Sequence, residues 1–230
     1  MKTILTYISL GVLTASSALC QIIAQPQTAT ASETSQGSLG KRYAGLSFGV
    51  SDLKGTEYVF GTGVGVNAPV TNYLDASVGY SYSWYKNDAL QYYTYKYDTH
   101  SLNTDFVFYK TIAGGLKPFI SAGIGYAWTT REFEYRSSYF NGDFKMKDDF
   151  ATWGTSVGIE IPLRWIALTP SIGLSGDFEN ERSQTWNYGL QASSWITPKV
   201  GIQAGVAFSE PKSRDYDGNW SYSAGIRIKF

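Results

Sequence analysis

The sequence predicts an all-β protein folded as a closed antiparallel up-and-down barrel of ten strands, on three observations. From Tyr43 onward, ten segments alternate large apolar residues with small or polar ones, which is the period of a strand with two different faces. Turn-forming residues separate these segments. The second face is chiefly Gly and Ser, whereas a soluble barrel covers its outside with charge. The apolar face is therefore predicted to contact lipid, which makes the barrel transmembrane.

The connections between the segments support this topology. They alternate between short and mostly longer, as in membrane barrels with short periplasmic turns and long outer loops. An even number of strands places both chain ends on the periplasmic side. Eight strands are the alternative if the first or the eighth segment is miscounted. The ten predicted strands cover residues 43–51, 57–67, 73–85, 95–109, 119–129, 152–161, 167–178, 185–194, 200–209 and 220–230.

Aromatic residues mark the two ends of the predicted outward face, where amphipathic rings sit at the membrane interfaces. The rings at the loop ends are Trp84, Trp128, Trp153, Trp186 and Trp220. Those at the turn ends are Tyr73, Phe119, Trp165, Trp195 and Phe230. Two girdles of this kind, around a sheet without edges, predict a bilayer-spanning barrel.

The chain before the barrel has two predicted parts. Residues 1–24 predict a secretory signal peptide, because Lys2 precedes an apolar run that is too short for a transmembrane helix and ends in small residues. Cleavage after Ala18, Cys20 or Ala24 fits the sequence, and lipidation of Cys20 is an alternative. Residues 25–41, rich in Gln, Thr and Ser, predict a flexible periplasmic segment, and residues 42–230 the barrel.

Two segments carry a resemblance to a known family: K-P-F-I-S-A-G-I-G-Y-A-W at 117–128 and W-S-Y-S-A-G-I-R-I-K-F at 220–230. With them, residues 42–230 resemble the small outer-membrane β-barrels that include opacity-type and OmpA-like barrels. The resemblance implies a monomer in the outer membrane of a Gram-negative-type bacterium, in contact with lipid and lipopolysaccharide. It also implies that the terminal Phe230 is the signal recognised by the barrel assembly machinery. The family includes adhesins, narrow porins, anchors and a few enzymes, so it implies little about activity.

Composition excludes several classes of function. The chain has 19 basic and 19 acidic residues, so no basic field points to nucleic acid. The single Cys lies in the predicted leader, and a single His excludes a histidine metal cluster. We therefore expect that the protein binds no cofactor or metal and is not an enzyme.

Four inward charges are predicted to form a network in the lumen: Asp75, Asp105, Glu160 and Arg227. One interpretation is an ion-pair network that blocks the pore, since an unpaired charge there is costly. The other is a charged constriction that selects ions. The blocked lumen is favoured because barrels of this strand number have interiors about wide enough for side chains alone.

Aromatic residues of the two longest outer loops are candidate contacts with an unidentified surface ligand, since large rigid rings are common at recognition surfaces. Contact with lipopolysaccharide sugars or packing within the loops is the alternative. Loop 130–151 is also predicted to extend its strands above the membrane as a ribbon. The candidates are Tyr92, Tyr93, Tyr95, Phe133, Tyr135, Tyr139 and Phe140.

His100 raises a third hypothesis, because an outer-membrane hydrolase would need a His beside Ser or Asp. Ser101 follows it but points to the opposite face of a strand, and Asp98 shares its face without a nucleophile nearby. The favoured function is thus a structural or surface-interaction role through the outer loops. A small passive porin is the alternative, and a hydrolase ranks last.

Overall fold

The computed structural model describes residues 37–53, 57–90, 93–136, 141–179, 183–212 and 218–230, and it shows ten antiparallel strands closed into a barrel. Each strand pairs with the next, and the first pairs with the last. The predicted fold is confirmed, and the eight-stranded alternative is wrong. The strands are β1 (Tyr43–Leu53), β2 (Glu57–Thr71), β3 (Leu74–Leu90), β4 (Tyr93–Tyr109), β5 (Lys117–Arg136), β6 (Asn141–Pro162), β7 (Ala167–Asp177), β8 (Thr185–Trp195), β9 (Val200–Pro211) and β10 (Asn219–Lys229).

The alternation seen in the sequence becomes two surfaces of the barrel. Outward side chains are large and exposed, such as Phe48 at 58% and Ile124 at 63%, whereas the inward row of the same strands is built from small residues. Small residues are required inside: a Cβ on Gly225 would lie 2.6 Å from the carbonyl oxygen of Leu46. The narrow bore therefore follows from residue size. Across the described residues, no helix is long and apolar enough to span a membrane.

The wall of the barrel has unequal height. Strands β1, β7, β8 and β10 contain 11 residues each, whereas β5 contains 20 and β6 contains 22. A tilted strand crosses a bilayer in about 9–11 residues. The surplus of β5 and β6 forms a paired extension on the loop side, residues 130–136 and 141–147, which we call the ribbon. The predicted ribbon is thus part of the structure.

The chain enters the barrel wall through a turn that lies inside the lumen. The backbone N–H of Lys41 donates to the carbonyl oxygen of Ser38 at 3.3 Å, and Gly40 closes this turn with a φ of 79°. An L side chain rarely adopts that conformation, so the position favours glycine. Residues 37–40 are called the N-terminal turn below. Of the segment predicted to be flexible, residues 25–36 lie outside the described residues, and residues 37–41 are held in the barrel mouth.

Candidate functional site

The periplasmic mouth of the lumen contains a buried ion pair around the N-terminal turn. Lys117 Nζ lies 3.1 Å from Glu160 Oε1, and the two side chains are 1% and 0% exposed. The other carboxylate oxygen, Glu160 Oε2, accepts the backbone N–H groups of Ser38 at 2.7 Å and Leu39 at 3.2 Å. Lys117 also donates to the carbonyl oxygen of Leu39 at 3.1 Å. The ion pair therefore binds the turn through its main chain.

The opposite wall binds the same turn through Arg227 and Trp195. Arg227 donates to the Ser38 hydroxyl, and its guanidinium lies 5.3 Å from the ring centre of Tyr43 and 5.6 Å from that of Trp195. The Trp195 indole N–H donates to the carbonyl oxygen of Gly37 at 3.0 Å. Stacking on aromatic rings and charge-assisted hydrogen bonds compensate for burying a guanidinium. Strands from both sides of the barrel thus meet at one short peptide.

Apolar packing completes the seat of the turn. Leu39 is 1% exposed and packs with Val107 and Tyr109, while Phe119 lies against this group. At Gly37 there is no room for a side chain, because a Cβ would overlap the Glu160 carboxylate. The N-terminal turn therefore fills the mouth of the lumen.

The predicted lumen charges divide into two groups. Glu160 and Arg227 meet at the N-terminal turn. Asp75 is instead fully buried on β3 and accepts a hydrogen bond from Asn67 Nδ2 at 3.2 Å. Asp105 lies on the neighbouring strand β4, opposite Gly123 of β5. In the described part of the chain, no ion pair joins either aspartate to Arg227.

Three members of this site were missed or misplaced by the sequence analysis. Lys117 was assigned to a turn, but β5 begins at this residue, and Lys117 continues the inward row of Ser121 and Phe119. The assignment of Phe119 and Trp195 to the outer girdle is wrong. In each strand, the residue occupies a position that alternates with the exposed ones, so its side chain points into the lumen. The inward orientation of Phe119 and Trp195 could therefore have been predicted from the alternation.

The turn end carries an excess of positive charge. Lys41 lies 5.0 Å from the ring centre of Trp195, close to Glu160, Lys117 and Arg227. Burial, and then the neighbouring cations, lower the pKa of Lys41 from 10.5 to about 8, against the opposing effect of Glu160. Three cationic side chains thus lie around Glu160 at this mouth, and the buried carboxylate of Asp75 also interacts with Lys117.

The loop end of the lumen is filled by aromatic side chains. The buried cluster consists of Val59, Tyr85, Tyr95, Tyr97 and Phe133, with Tyr135 and Met146 packed against it. Tyr95 is 3% exposed and Phe133 is 7% exposed, so their prediction as outward ligand contacts is corrected: both belong to inward rows and pack inside the barrel. Tyr135 is half-buried at its edge. Tyr92, Tyr139 and Phe140, and the side chain of Tyr93, lie outside the described residues.

The ribbon has a charged outer face and an aromatic inner face. On the outside, an ion pair joins Lys145 to Glu132 across the two strands of the ribbon, and its hydrogen bond lowers the pKa of Glu132. A second ion pair joins Glu134 to Lys96 of the neighbouring strand β4. On the inside, the rings of Phe133 and Phe144 lie 6.4 Å apart, and Phe144 remains 58% exposed. Both faces therefore hold the strands of the ribbon together.

His100 lies on the outer face of the barrel among aromatic rings. Its ring stacks on Trp128 at 5.7 Å and 9°, and its Nδ1 lies 2.6 Å from the Tyr80 hydroxyl. Ser101 faces the lumen and bonds to Ser81 at 2.7 Å. Asp98 accepts the hydroxyl of Tyr82 at 2.8 Å. This arrangement makes His100 an interfacial packing residue, and the described residues contain no cluster of three metal-ligating side chains.

The outer surface between the two ends is apolar. Exposed rings of Trp84, Trp128, Trp186 and Trp220 mark the loop side, and Tyr73, Trp165 and Phe230 mark the turn side. The exposed aliphatic residues between them include Val64, Val78, Leu102, Ile120, Ile124, Val157, Leu190, Ile202 and Ile226. A continuous apolar belt of this size is incompatible with water and matches a bilayer.

Comparison with known proteins identifies the fold. No family model and no curated protein matches the chain. Its structure is similar to the transport unit of the autotransporter AIDA-I from Escherichia coli, with a TM-score of 0.50 and 10% identity over 83% of this chain and 90% of that one. The chain has the fold of an outer-membrane β-barrel. Together with the apolar belt, this fold agrees with the outer-membrane location predicted from the sequence.

Two further structural matches are outer-membrane barrels of lower similarity. Ail, the attachment invasion locus protein of Yersinia pestis, is 10% identical with a TM-score of 0.43, covering 83% of this chain and 98% of that one. The N-terminal barrel domain of Pseudomonas aeruginosa OprF is 14% identical with a TM-score of 0.36, covering 83% and 98%.

Proposed function

We propose that this protein is an outer-membrane barrel with a filled, non-conducting lumen that acts at the cell surface through its ribbon. The observation that carries the proposal is that both ends of the lumen are occupied. The N-terminal turn fills the periplasmic mouth with Ser38 and Leu39, which are 0% and 1% exposed. The aromatic cluster around Tyr97 fills the loop end. A lumen that is filled at both ends supports a role for the protein that does not depend on transport.

The ribbon supports the surface role because it is long and held on both faces. Each of its two paired strands contributes 7 residues, 130–136 and 141–147, which is roughly 23 Å of strand at about 3.3 Å per residue. Its outer ion pairs and inner ring contacts order it before any partner binds, which lowers the entropy cost of binding. The exposed Phe144 would offer an apolar contact to a ligand.

Single-channel recording tests the filled lumen. The protein, refolded in lipid and shown by heat-dependent gel migration to be folded, is expected to give no discrete openings in a planar bilayer. Reproducible openings of the unmodified barrel would contradict the proposal.

A shortened ribbon tests the surface role. Residues 131–146 are replaced by an Asn-Gly turn, which closes a two-residue hairpin between the paired residues Thr130 and Lys147. Proteoliposomes bearing either barrel are passed over immobilised matrix protein, sulphated glycan and lipopolysaccharide vesicles. Retention of the intact barrel on one of these surfaces, and its loss on shortening, is the expected result. Equal retention of the two barrels would show that the ribbon is not needed for binding and would contradict the proposed surface role.

The environment of the barrel belongs to the same proposal. We expect a monomer surrounded by lipid and lipopolysaccharide and inserted by the barrel assembly machinery. Phe230, 66% exposed at the turn end, is the proposed signal for that machinery.

A passive porin is the second candidate, because the middle of the lumen is polar. Gln191 and Gln203 bond to each other at 3.0 Å, and paired hydroxyls such as Ser121 and Ser156 face inward at 2.6 Å. Such a lining would be compatible with water and ions if the ends were open.

A further inference from the structure

We propose that the turn end of the barrel is a binding surface for the phosphate groups of anionic phospholipids in the periplasmic leaflet of the outer membrane. The surface, called the basic rim below, consists of Arg42, Lys110, Arg164, Lys199 and Lys229. It lies at the opposite end of the barrel from the ribbon. The inference therefore goes beyond the function proposed above and assigns a ligand class to a part of the barrel that this function does not use.

The charge of the basic rim is unbalanced. All five side chains are exposed, and the described connections at this end of the barrel contain no Asp or Glu. Among the described residues, none of the five takes part in an ion pair. On the loop side, by contrast, cations are paired with carboxylates, as Lys145 is with Glu132. Cations without a partner carboxylate therefore collect at the turn end, where they can attract an anionic ligand.

Three of the five cations meet where the barrel closes. The N–H of Lys229 donates to the carbonyl oxygen of Lys199 at 2.7 Å, so the two lysines lie opposite each other at the end of the pair β9 and β10. The N–H of Phe230 donates to the carbonyl oxygen of Arg42 at 3.4 Å, which places Arg42 beside them. Like charges directly opposite each other on a sheet are destabilising. A bound phosphate group would remove this repulsion, and it matches the donors of both Arg and Lys.

The surroundings of the basic rim favour a lipid over a soluble anion. The same turns and chain end expose apolar side chains, with Ile112 at 44%, Trp165 at 69%, Ile196 at 64% and Phe230 at 66%. The guanidinium of Arg164 lies 4.9 Å from the ring centre of Trp165. Exposed rings mixed with cations are typical of the level of the lipid headgroups.

The apolar belt begins directly at the closing strands. On β10, Phe230, Ile228 and Ile226 are exposed in one outward row at 66%, 57% and 52%. A phospholipid can therefore place its phosphate group on the basic rim and its acyl chains along this row. A soluble anion would make only the first of these contacts.

A fluorescent label in the basic rim tests the ligand class. Ile196→Cys, made in the full chain together with Cys20→Ser, carries the label in the same turn as Lys199. The barrel is refolded in phosphatidylcholine nanodiscs, in which brominated phosphatidylglycerol or brominated phosphatidylcholine replaces part of the lipid and quenches a label that it contacts. A single cation near the surface favours an anionic lipid by about fivefold. Quenching should therefore require an at least about fivefold lower fraction of phosphatidylglycerol than of phosphatidylcholine.

Removing two cations tests the residues. Lys199→Gln and Lys229→Gln together should lower this preference to less than half its value. Lys145→Gln and Lys147→Gln are the matched control, because they remove the same charge from the ribbon, and the preference should not change. Heat-dependent gel migration verifies that each barrel is folded. An equal preference in the rim variant and the control would overturn the assignment.

Soluble competitors at matched ionic strength separate the sources of the anion. The preference for phosphatidylglycerol should persist in excess glycerol 3-phosphate and in excess polyglutamate. Its loss in glycerol 3-phosphate would show a site for free phosphate, and its loss in polyglutamate would assign the basic rim to an acidic macromolecule; either result overturns the lipid. Equal quenching of the unmodified barrel by the two brominated lipids also overturns it. These results do not depend on whether the lumen conducts or the ribbon binds a ligand.

Discussion

The buried ion pair of Lys117 and Glu160 should be a main source of stability at the periplasmic mouth. Lys117→Met keeps the side-chain volume but removes the ammonium group, which lies 3.1 Å from both Glu160 Oε1 and the Leu39 carbonyl oxygen. Breaking a buried pair costs about 3–5 kcal/mol, because one charge stays buried without its partner. The two backbone N–H groups on Glu160 offset part of this, so we expect a loss of ~3 kcal/mol.

Urea unfolding of the barrel in lipid vesicles, followed by tryptophan fluorescence, measures this loss. Adding Glu160→Gln to Lys117→Met removes the stranded charge, so the double variant should lose clearly less than the sum of the two single variants. Lys145→Met is the control. Its ion pair with Glu132 on the ribbon is 54% and 32% exposed, and an exposed pair contributes about 0–1 kcal/mol. A Lys117→Met barrel as stable as the control, or strict additivity in the double variant, would refute the reasoning.

Three further outcomes are expected. A Cβ on Gly158 would lie 2.6 Å from the carbonyl oxygen of Pro170, so Gly158→Ala should lower the refolded fraction severalfold in gel-shift assays; Gly189→Ala, which meets only a serine hydroxyl at 3.1 Å, should refold normally. The pKa of Lys41 is about 8 in the folded protein and 10.5 in the unfolded chain, so the unfolded chain binds more protons between these pH values. The free energy of unfolding should therefore rise from pH 8 to pH 10.5, and it should rise less in Lys41→Met. His100→Ala should cost about 1 kcal/mol in the same urea assay through lost ring stacking, and a parallel loss of a hydrolytic activity would contradict its packing role.

The barrel could be predicted from sequence because a bilayer imposes the same alternation on every strand. The alternation also explains where the strand ends were misjudged. In the ribbon, Glu132 and Glu134 occupy outward positions of β5, which are apolar in the part of the strand that crosses the membrane. The strand therefore continues beyond the residues with the apolar pattern. Charge at an outward position marks the end of the lipid belt, not the end of the strand.

The candidate site could be predicted only in part. The inward orientation of Glu160 and Arg227 follows from the alternation of inward and outward positions along their strands. Applied strictly, the same alternation also predicts that Trp195 and Phe119 point inward. The partner of these residues could not be found in this way. The N-terminal turn has no periodic pattern, and it is bound mainly through backbone groups, which are the same for every sequence.

The contacts of the N-terminal turn indicate that it is bound late in folding. Ser38 binds residues that lie 122 positions away at Glu160 and 189 positions away at Arg227. Arg227 lies on β10, the strand that closes the barrel by pairing with β1, so the complete set of contacts to the turn exists only in a finished barrel. Contacts made after the rate-limiting step slow unfolding without speeding folding. The N-terminal turn, residues 37–40, should accordingly be cut readily by a protease in unfinished barrels and be protected in finished ones, which makes its protection a marker of completed assembly.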